Sequence, residues 1–359
     1  MVCCIPDRLY LGLAKMSMGS FLRTALFFLF LAPVLFLAPV TIGQSSSSNA
    51  AADQEIQSGV SALRQGRYSE AEQHFRQAEK LAGEPSAQAT AGLAMSELQM
   101  GHFATTRELE TKVLQMVSGA HPRAEAHNLI GMAWLRESAE STSADQLQAA
   151  EQSFREAVRL DPWFDSAYFN LGEALLREKR PAEAAPAFRK FIDASAAGGD
   201  AAQDQGFPLT PERPAPKYQF KDSDGRLLSS DSMHGRFVLL DYWATWCPPC
   251  LRALPVMREL AHYFTPAQLT VISIDEDSPD QKTWRDFTAR ERMDWIQVWD
   301  KDAESYFSFG LAPRPDLSLP RYVLLDQNNF LLRVYSGTDR LGFVVGEIVR
   351  SVNRQPPGP

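Results

Sequence analysis

Ala150, Phe154 and Ala157 recur as Ala184, Phe188 and Phe191, so this stretch of the chain repeats itself at an interval of 34 residues. A fixed period of that size means stacked supersecondary units, each burying its apolar face against the next. An earlier copy supplies Gly59, Gly66, Tyr68, Ala71, Phe75 and Ala78. From Ala52 to about Ala194 the sequence is rich in Ala, Glu, Gln, Leu and Arg and nearly free of Pro within its segments, which predicts helices. Four helical hairpins are expected, starting near residues 52, 87, 124 and 165. The middle two are degenerate: one keeps Gly101 and Phe103, the other Gly131 and Trp134 before an insertion around Ser138 to Gln146. Asp161-Pro162 marks the break into the fourth, whose first helix carries Tyr168, Leu171 and Gly172.

This pattern resembles the tetratricopeptide repeat over residues 52–194. The resemblance implies an all-α array whose concave surface holds a peptide or protein partner. Its Ala and aromatic positions are structural by default, so no site residue is assigned there. From Ala194 to Pro216 the composition shifts to Ala, Gly, Gln and Pro, with Gly198-Gly199 and Pro208, Pro211, Pro214 and Pro216, and residues 195–213 read as a flexible linker.

Beyond the linker, strand and helix signals alternate, which implies an α/β domain over residues 214–352. The expected elements are a buried strand Phe237 to Trp243, a helix Pro249 to Phe264, a strand Leu269 to Ile274 and a helix Pro279 to Arg290. Strands Trp295 to Trp299, Tyr322 to Leu325 and Phe330 to Tyr335 follow, then a closing helix Arg340 to Val352. Asp222-Ser223-Asp224-Gly225 marks a hairpin turn ahead of this core. A chain of 359 residues is long enough for two such parts, each with its own core. With a net charge of -8 and no dense Lys/Arg stretch, the chain is not built to bind nucleic acid.

The amino-terminal residues 1–44 differ from the rest. Thr24 to Ile42 is almost wholly apolar, interrupted by Pro33 and Pro39, and follows Arg8, Lys15 and Arg23. This reads either as a cleaved signal peptide, with Thr41 and Gly43 near the cleavage point, or as an uncleaved anchor over residues 24–42. Met16 and Met18 leave a later start open. Both readings place the remainder outside the cytoplasm, in the periplasm or cell envelope. Of the four cysteines, Cys3 and Cys4 precede the apolar run, so the exported part holds only Cys247 and Cys250. A pair two residues apart closes too small a loop to act as a structural staple, and in an oxidising compartment its chemistry is the expected purpose.

Cys247 follows a buried strand and opens a helix, where unpaired backbone N–H groups and the helix dipole favour negative charge. The thiolate is the attacking form in disulfide exchange, so this placement raises reactivity near neutral pH. Cys250, one turn on, is placed to attack the resulting mixed disulfide. The alternatives are a metal site or inert thiols, but zinc needs four ligands in its structural form and there is neither a second Cys pair nor a closely spaced His pair; His262 alone is insufficient. No metal and no cofactor beyond the Cys247–Cys250 disulfide is expected. No nicotinamide-binding glycine motif is present, so electrons would come from a membrane donor.

Residues 214–350 resemble the thioredoxin superfamily, specifically bacterial TlpA-like and ResA-like thiol-disulfide oxidoreductases. The match is carried by Ala215-Pro216, the Asp224-Gly225 turn, His234-Gly235-Arg236, the run Leu240-Asp241-Tyr242-Trp243-Ala244-Thr245-Trp246-Cys247-Pro248-Pro249-Cys250, and Pro255. The fold class this implies is multi-domain, a helical repeat array followed by an α/β thioredoxin fold. By this resemblance Cys247 is the nucleophile, Cys250 the resolving thiol and Pro255 the kink in the long helix. Trp246, Pro248 and Pro249 form the substrate-contacting surface; Trp243 either flanks the disulfide or packs in the core, and Trp284, Trp295 and Trp299 read as core.

The resemblance also assigns a cis-proline to Pro320, exposing the Leu319 backbone for strand addition by an extended substrate segment, with Pro313 and Pro315 as competing candidates. Asp241 occupies the place of a buried aspartate in thioredoxin. Desolvation would raise its pKa and let it take the proton of Cys250 as a general base; the alternative is a solvated aspartate on a strand edge. ResA-like proteins carry a glutamate three residues after the second cysteine, where this chain has Ala253, which leaves that job to Asp241. A peroxidatic cysteine would have a threonine three residues before it, where this chain has Ala244. The implied activity is reduction of disulfides in envelope protein substrates, as in cytochrome c maturation, with the repeats recruiting a partner. A non-catalytic scaffold and a dithiol oxidase are the other readings.

Overall fold

The computed structural model describes residues 45–141, 143–197, 213–276, 280–311, 317–336 and 341–354. The apolar segment 24–42, Cys3, Cys4, most of the proline-rich linker, and Pro313 and Pro315 lie outside the described residues. No described helix is long and apolar enough to cross a membrane. By its packing the chain divides into two compact units, with the division between Pro122 and Arg123.

The first unit holds helices α1 (Ser45–Arg64), α2 (Tyr68–Ala82), α3 (Ala87–Met100) and α4 (Phe103–Met116). Their ends follow from sequence: Ser86 caps α3 by accepting the Ala89 N–H at 3.1 Å, and Gly83 and Gly101 close α2 and α3 with φ of 78° and 86°. Phe75 is the interlock. A methyl carbon built on Gly92 of α3 would lie 2.4 Å from its ring, and one on Gly59 of α1 would lie 2.8 Å away, so only glycine lets the three helices close.

The second unit begins within α5 (Ala120–Ser141) and goes on to α6 (Ala144–Leu160), α7 (Asp165–Arg177) and α8 (Pro181–Ala196). The interlock recurs: Phe154 seats against Gly131 and Phe188 against Gly172. The four hairpin starts read from sequence therefore correspond to α1, α3, α5 and α7. Residues Ala194–Ala196, within the sequence from which the linker was read, still belong to α8.

The rest of this unit is built on a six-stranded sheet. Its strands are β1 (Arg213–Pro214), β4 (Phe237–Trp243), β5 (Leu269–Asp275), β6 (Ile296–Trp299), β7 (Arg321–Leu325) and β8 (Phe330–Ser336), ordered β1-β8-β7-β4-β5-β6. β4, β5 and β6 are parallel, while β7 and β8 run antiparallel on the other side. A small hairpin of β2 (Gln219–Lys221) and β3 (Leu227–Ser229) precedes them, around the expected Asp222–Gly225 turn. Helices α9 (Pro248–Tyr263), α10 (Gln281–Arg290), α11 (Glu304–Ser308) and α12 (Leu341–Arg354) complete it. Every residue of β4 and β5 is buried, as in a central parallel strand covered on both faces. Even-numbered β4 residues Val238, Leu240 and Tyr242 join the core with Phe220, Ile274, Tyr306 and Val323, whereas Trp243 joins Cys247, Cys250, Leu254 and Trp284 on the opposite face.

The repeat helices of this unit pack directly on the α/β fold, with α8 against α9 and α12. Arg189 of α8 lies over the Tyr263 ring at 4.6 Å from its centroid. Deeper in, Asp165 of α7 faces Arg350 of α12 at 3.6 Å, accepts the Ser195 hydroxyl at 2.9 Å, and accepts the Ser166 N–H at 2.7 Å. Asp165 and Arg350 are 1% and 5% exposed, so this ion pair is closed to water. Burial pushes the Asp165 carboxyl above its ordinary range, opposed by Arg350, Ser195 and Ser166.

Candidate functional site: a helix-capping disulfide backed by a buried carboxyl

The site forms where β4 ends and α9 begins. Ala244 accepts the Cys247 N–H at 3.1 Å, which turns the chain sharply out of the strand. Cys247 is the N-cap of α9, with Pro248 and Pro249 in the first turn, where a missing N–H costs nothing. Its sulfur accepts the Cys250 N–H at 3.2 Å, the place a capping oxygen takes in other helices. Cys247 and Cys250 are joined as a disulfide, with Cα atoms 5.3 Å apart. Both are buried, while Trp246 beside them is 54% exposed and Pro248 is exposed. The Trp246–Pro248 edge is therefore the part of the site open to solvent. Trp243 is buried in one cluster with the cysteines and Trp284, so it both flanks the disulfide and packs in the core. Pro255 lies inside α9.

The Leu319–Pro320 peptide is cis, immediately before β7. Leu319 is half-buried and packs against the cluster that contains both cysteines, so the loop ahead of β7 borders the disulfide. Ser318 is held there by Tyr306, whose hydroxyl accepts its N–H at 3.0 Å.

Asp241 lies on central strand β4 and is 3% exposed, which overturns the solvated-edge alternative. Burial lifts its carboxyl from 3.8 to about 7, partly opposed by the Ser273 hydroxyl donating to Oδ2 at 2.8 Å. It shares the α9 face of the sheet with Trp243, two residues along the strand. Sequence reasoning missed Ser273. It also read Trp295 only as core, yet Trp295 is half-buried and its indole N–H donates to Ser273 Oγ at 2.8 Å.

A second acid passed over in sequence is Glu276, just beyond β5. Its N–H donates to the Trp243 carbonyl at 3.0 Å, and its carboxyl is buried with no hydrogen-bond partner among the described residues. Burial, then Asp300 and Asp275, push it up to about 9, so it is protonated at neutral pH. Among the described residues no group of three or more His, Cys, Asp or Glu is arranged to hold a metal.

Residues 211–334 match the AhpC/TSA family, and residues 56–105 and 143–200 match a tetratricopeptide repeat family. Thiol-disulfide oxidoreductases ResA from Bacillus thuringiensis and Geobacillus thermodenitrificans are 26% and 27% identical over 123 and 124 residues, in each case 34% of this chain and 68% of the relative. Among solved structures, the thioredoxin domain of a thiol-disulfide oxidoreductase from Bacteroides vulgatus covers 40% of this chain and 99% of its own, with 22% identity and a TM-score of 0.33. Residues 211–334 thus match the AhpC/TSA family in a thioredoxin-like α/β domain, the helical hairpins match tetratricopeptide repeats, and the chain is an oxidoreductase similar to the thiol-disulfide oxidoreductases ResA.

Proposed function

We propose that the protein reduces disulfides of proteins in the cell envelope, including the class of substrate whose thiols must stay reduced for cytochrome c maturation. The single observation that carries this reading is the Cys247 sulfur at the α9 N-cap, accepting the Cys250 N–H and bonded to Cys250. In the dithiol form the same N–H and the helix dipole favour a thiolate at Cys247. That thiolate attacks one sulfur of the partner's disulfide, forming a Cys247–partner bond and expelling the other partner sulfur, which takes up a proton. Cys250 then gives its proton to Asp241 and attacks the Cys247 sulfur. The intramolecular disulfide forms, and the second partner thiol leaves. Two electrons pass from the cysteine pair to the partner, and an external dithiol, supplied by a membrane donor, must restore them.

Leu319 packs against the cluster that holds the disulfide, and an extended partner segment would add as a strand along its backbone while Trp246, Pro248 and Pro249 meet the segment's side chains. The repeats recruit the partner. An exported location is the compartment in which this chemistry has substrates, and the apolar run at residues 24–42 supports it.

Cys250→Ser removes the resolving thiol, so the partner is expected to accumulate as a mixed disulfide on Cys247. In the host cell, non-reducing electrophoresis should show a shifted, reductant-sensitive species with Cys250→Ser and none with Cys247→Ser. Equal amounts with both variants would contradict the assignment.

A further inference from the structure

The proposed resolving step needs a base that stays aimed and keeps access to its charged form while sealed from water. Asp241 has one hydrogen-bond partner among the described residues, Ser273, its register partner on β5. A serine hydroxyl has one proton and rotates freely unless something directs it. Here the indole N–H of Trp295 occupies the acceptor side of Ser273 Oγ at 2.8 Å. An indole N–H is only a donor, so the Ser273 proton is left to point at Asp241 Oδ2, 2.8 Å away.

We infer that Ser273 and Trp295 are positioning residues for the resolving half-reaction: Trp295 orients the Ser273 hydroxyl, and that hydroxyl fixes the Asp241 carboxylate and supports its charge. This inference rests on the base role given to Asp241 above. It is local: Tyr335 and Arg333 of β8, on this face with Glu347 and Arg350 of α12, lie two strands from Asp241, behind Tyr322. Tyr322 sits opposite Asp241 on β7, Asp275 lies two residues beyond Ser273 on β5, and the cysteine pair heads α9. From β6 the neighbour in register is Gln297, and α10 turns Trp284, Phe287 and Thr288 inward, none of them charged. No Lys or Arg of α9 or α10 is buried. The carboxylate thus has no buried cation from these helices, and the hydroxyl is its support.

The test is the pH dependence of insulin-disulfide reduction by the pre-reduced full chain. Wild type should show a limb near pH 7 that Asp241→Asn abolishes. Ser273→Ala should move that limb up by about one unit, because a hydrogen bond to a charged group is lost. The rate at pH 7 should then fall about fivefold, since the ionised fraction drops from a half to roughly a tenth. Above about pH 8.5 the two rates should converge as Cys250 ionises unaided. Trp295→Phe should shift the limb the same way by less, and Ser273→Thr, which keeps the hydroxyl, should leave it in place. An Asp241-dependent limb that stays put in Ser273→Ala, or a loss equal at every pH, would overturn the network alone. A wild-type profile with no such limb would overturn the base role of Asp241 and the network with it.

Discussion

Asp241→Asn is expected to make the protein more stable at pH 8 and slower at disulfide exchange. The folded protein holds the Asp241 proton up to about pH 7, against an ordinary value of 3.8. The sign follows from linkage. A carboxyl whose value is raised on folding contributes fully below its unfolded value, and that contribution is lost as pH rises through the folded value. Asparagine cannot ionise and escapes this loss, while its side-chain oxygen still accepts from Ser273. Urea denaturation of the oxidised protein should show the variant's advantage widening between pH 5 and pH 8 by roughly 2–3 kcal/mol. The rate of insulin-disulfide reduction at pH 7 should fall on the order of 100-fold, the usual size of a lost general base. A stability difference that does not change with pH would mean that Asp241 ionises in the folded protein as it does in water.

Arg350→Ala is expected to destabilise the unit that follows Pro122 more than any surface change could. It leaves the Asp165 carboxylate buried without its cation, and removing one partner of a buried pair costs about 3–5 kcal/mol. Melting of the full chain at pH 7.5 should drop by roughly 8–16 °C for that transition. Adding Asp165→Asn to Arg350→Ala should recover much of the loss, because the stranded charge is removed. If the double variant melts no higher than Arg350→Ala, the ion pair is not what holds α7 to α12.

Much of this architecture was legible in the sequence because it follows from short-range pattern. The 34-residue recurrence marked the repeat, and its Phe154 and Phe188 are the rings that seat against Gly131 and Gly172. The run Phe237–Trp243, apolar but for Asp241, and the cysteines after it likewise marked β4 and the α9 N-cap, while the cis peptide before Arg321 was implied by the family resemblance. What sequence could not show depends on register across the sheet. Ser273 reaches Asp241 from 32 residues away, through a parallel crossover whose alignment no spacing encodes. Asp165 and Arg350 lie far apart in sequence and meet only because α7 and α12 pack together. Helix α11 is five residues long, too short to show a period.

The central claim is that Cys247 is held ionised by the start of α9. Iodoacetamide alkylation of the reduced full chain, followed at Cys247 from pH 5 to pH 10 with Cys247→Ser as control, tests it most directly. The account predicts a half-maximal rate below about pH 7.5, as for thiols at helix N-termini; a midpoint at about 8.5, that of a free cysteine, would contradict it.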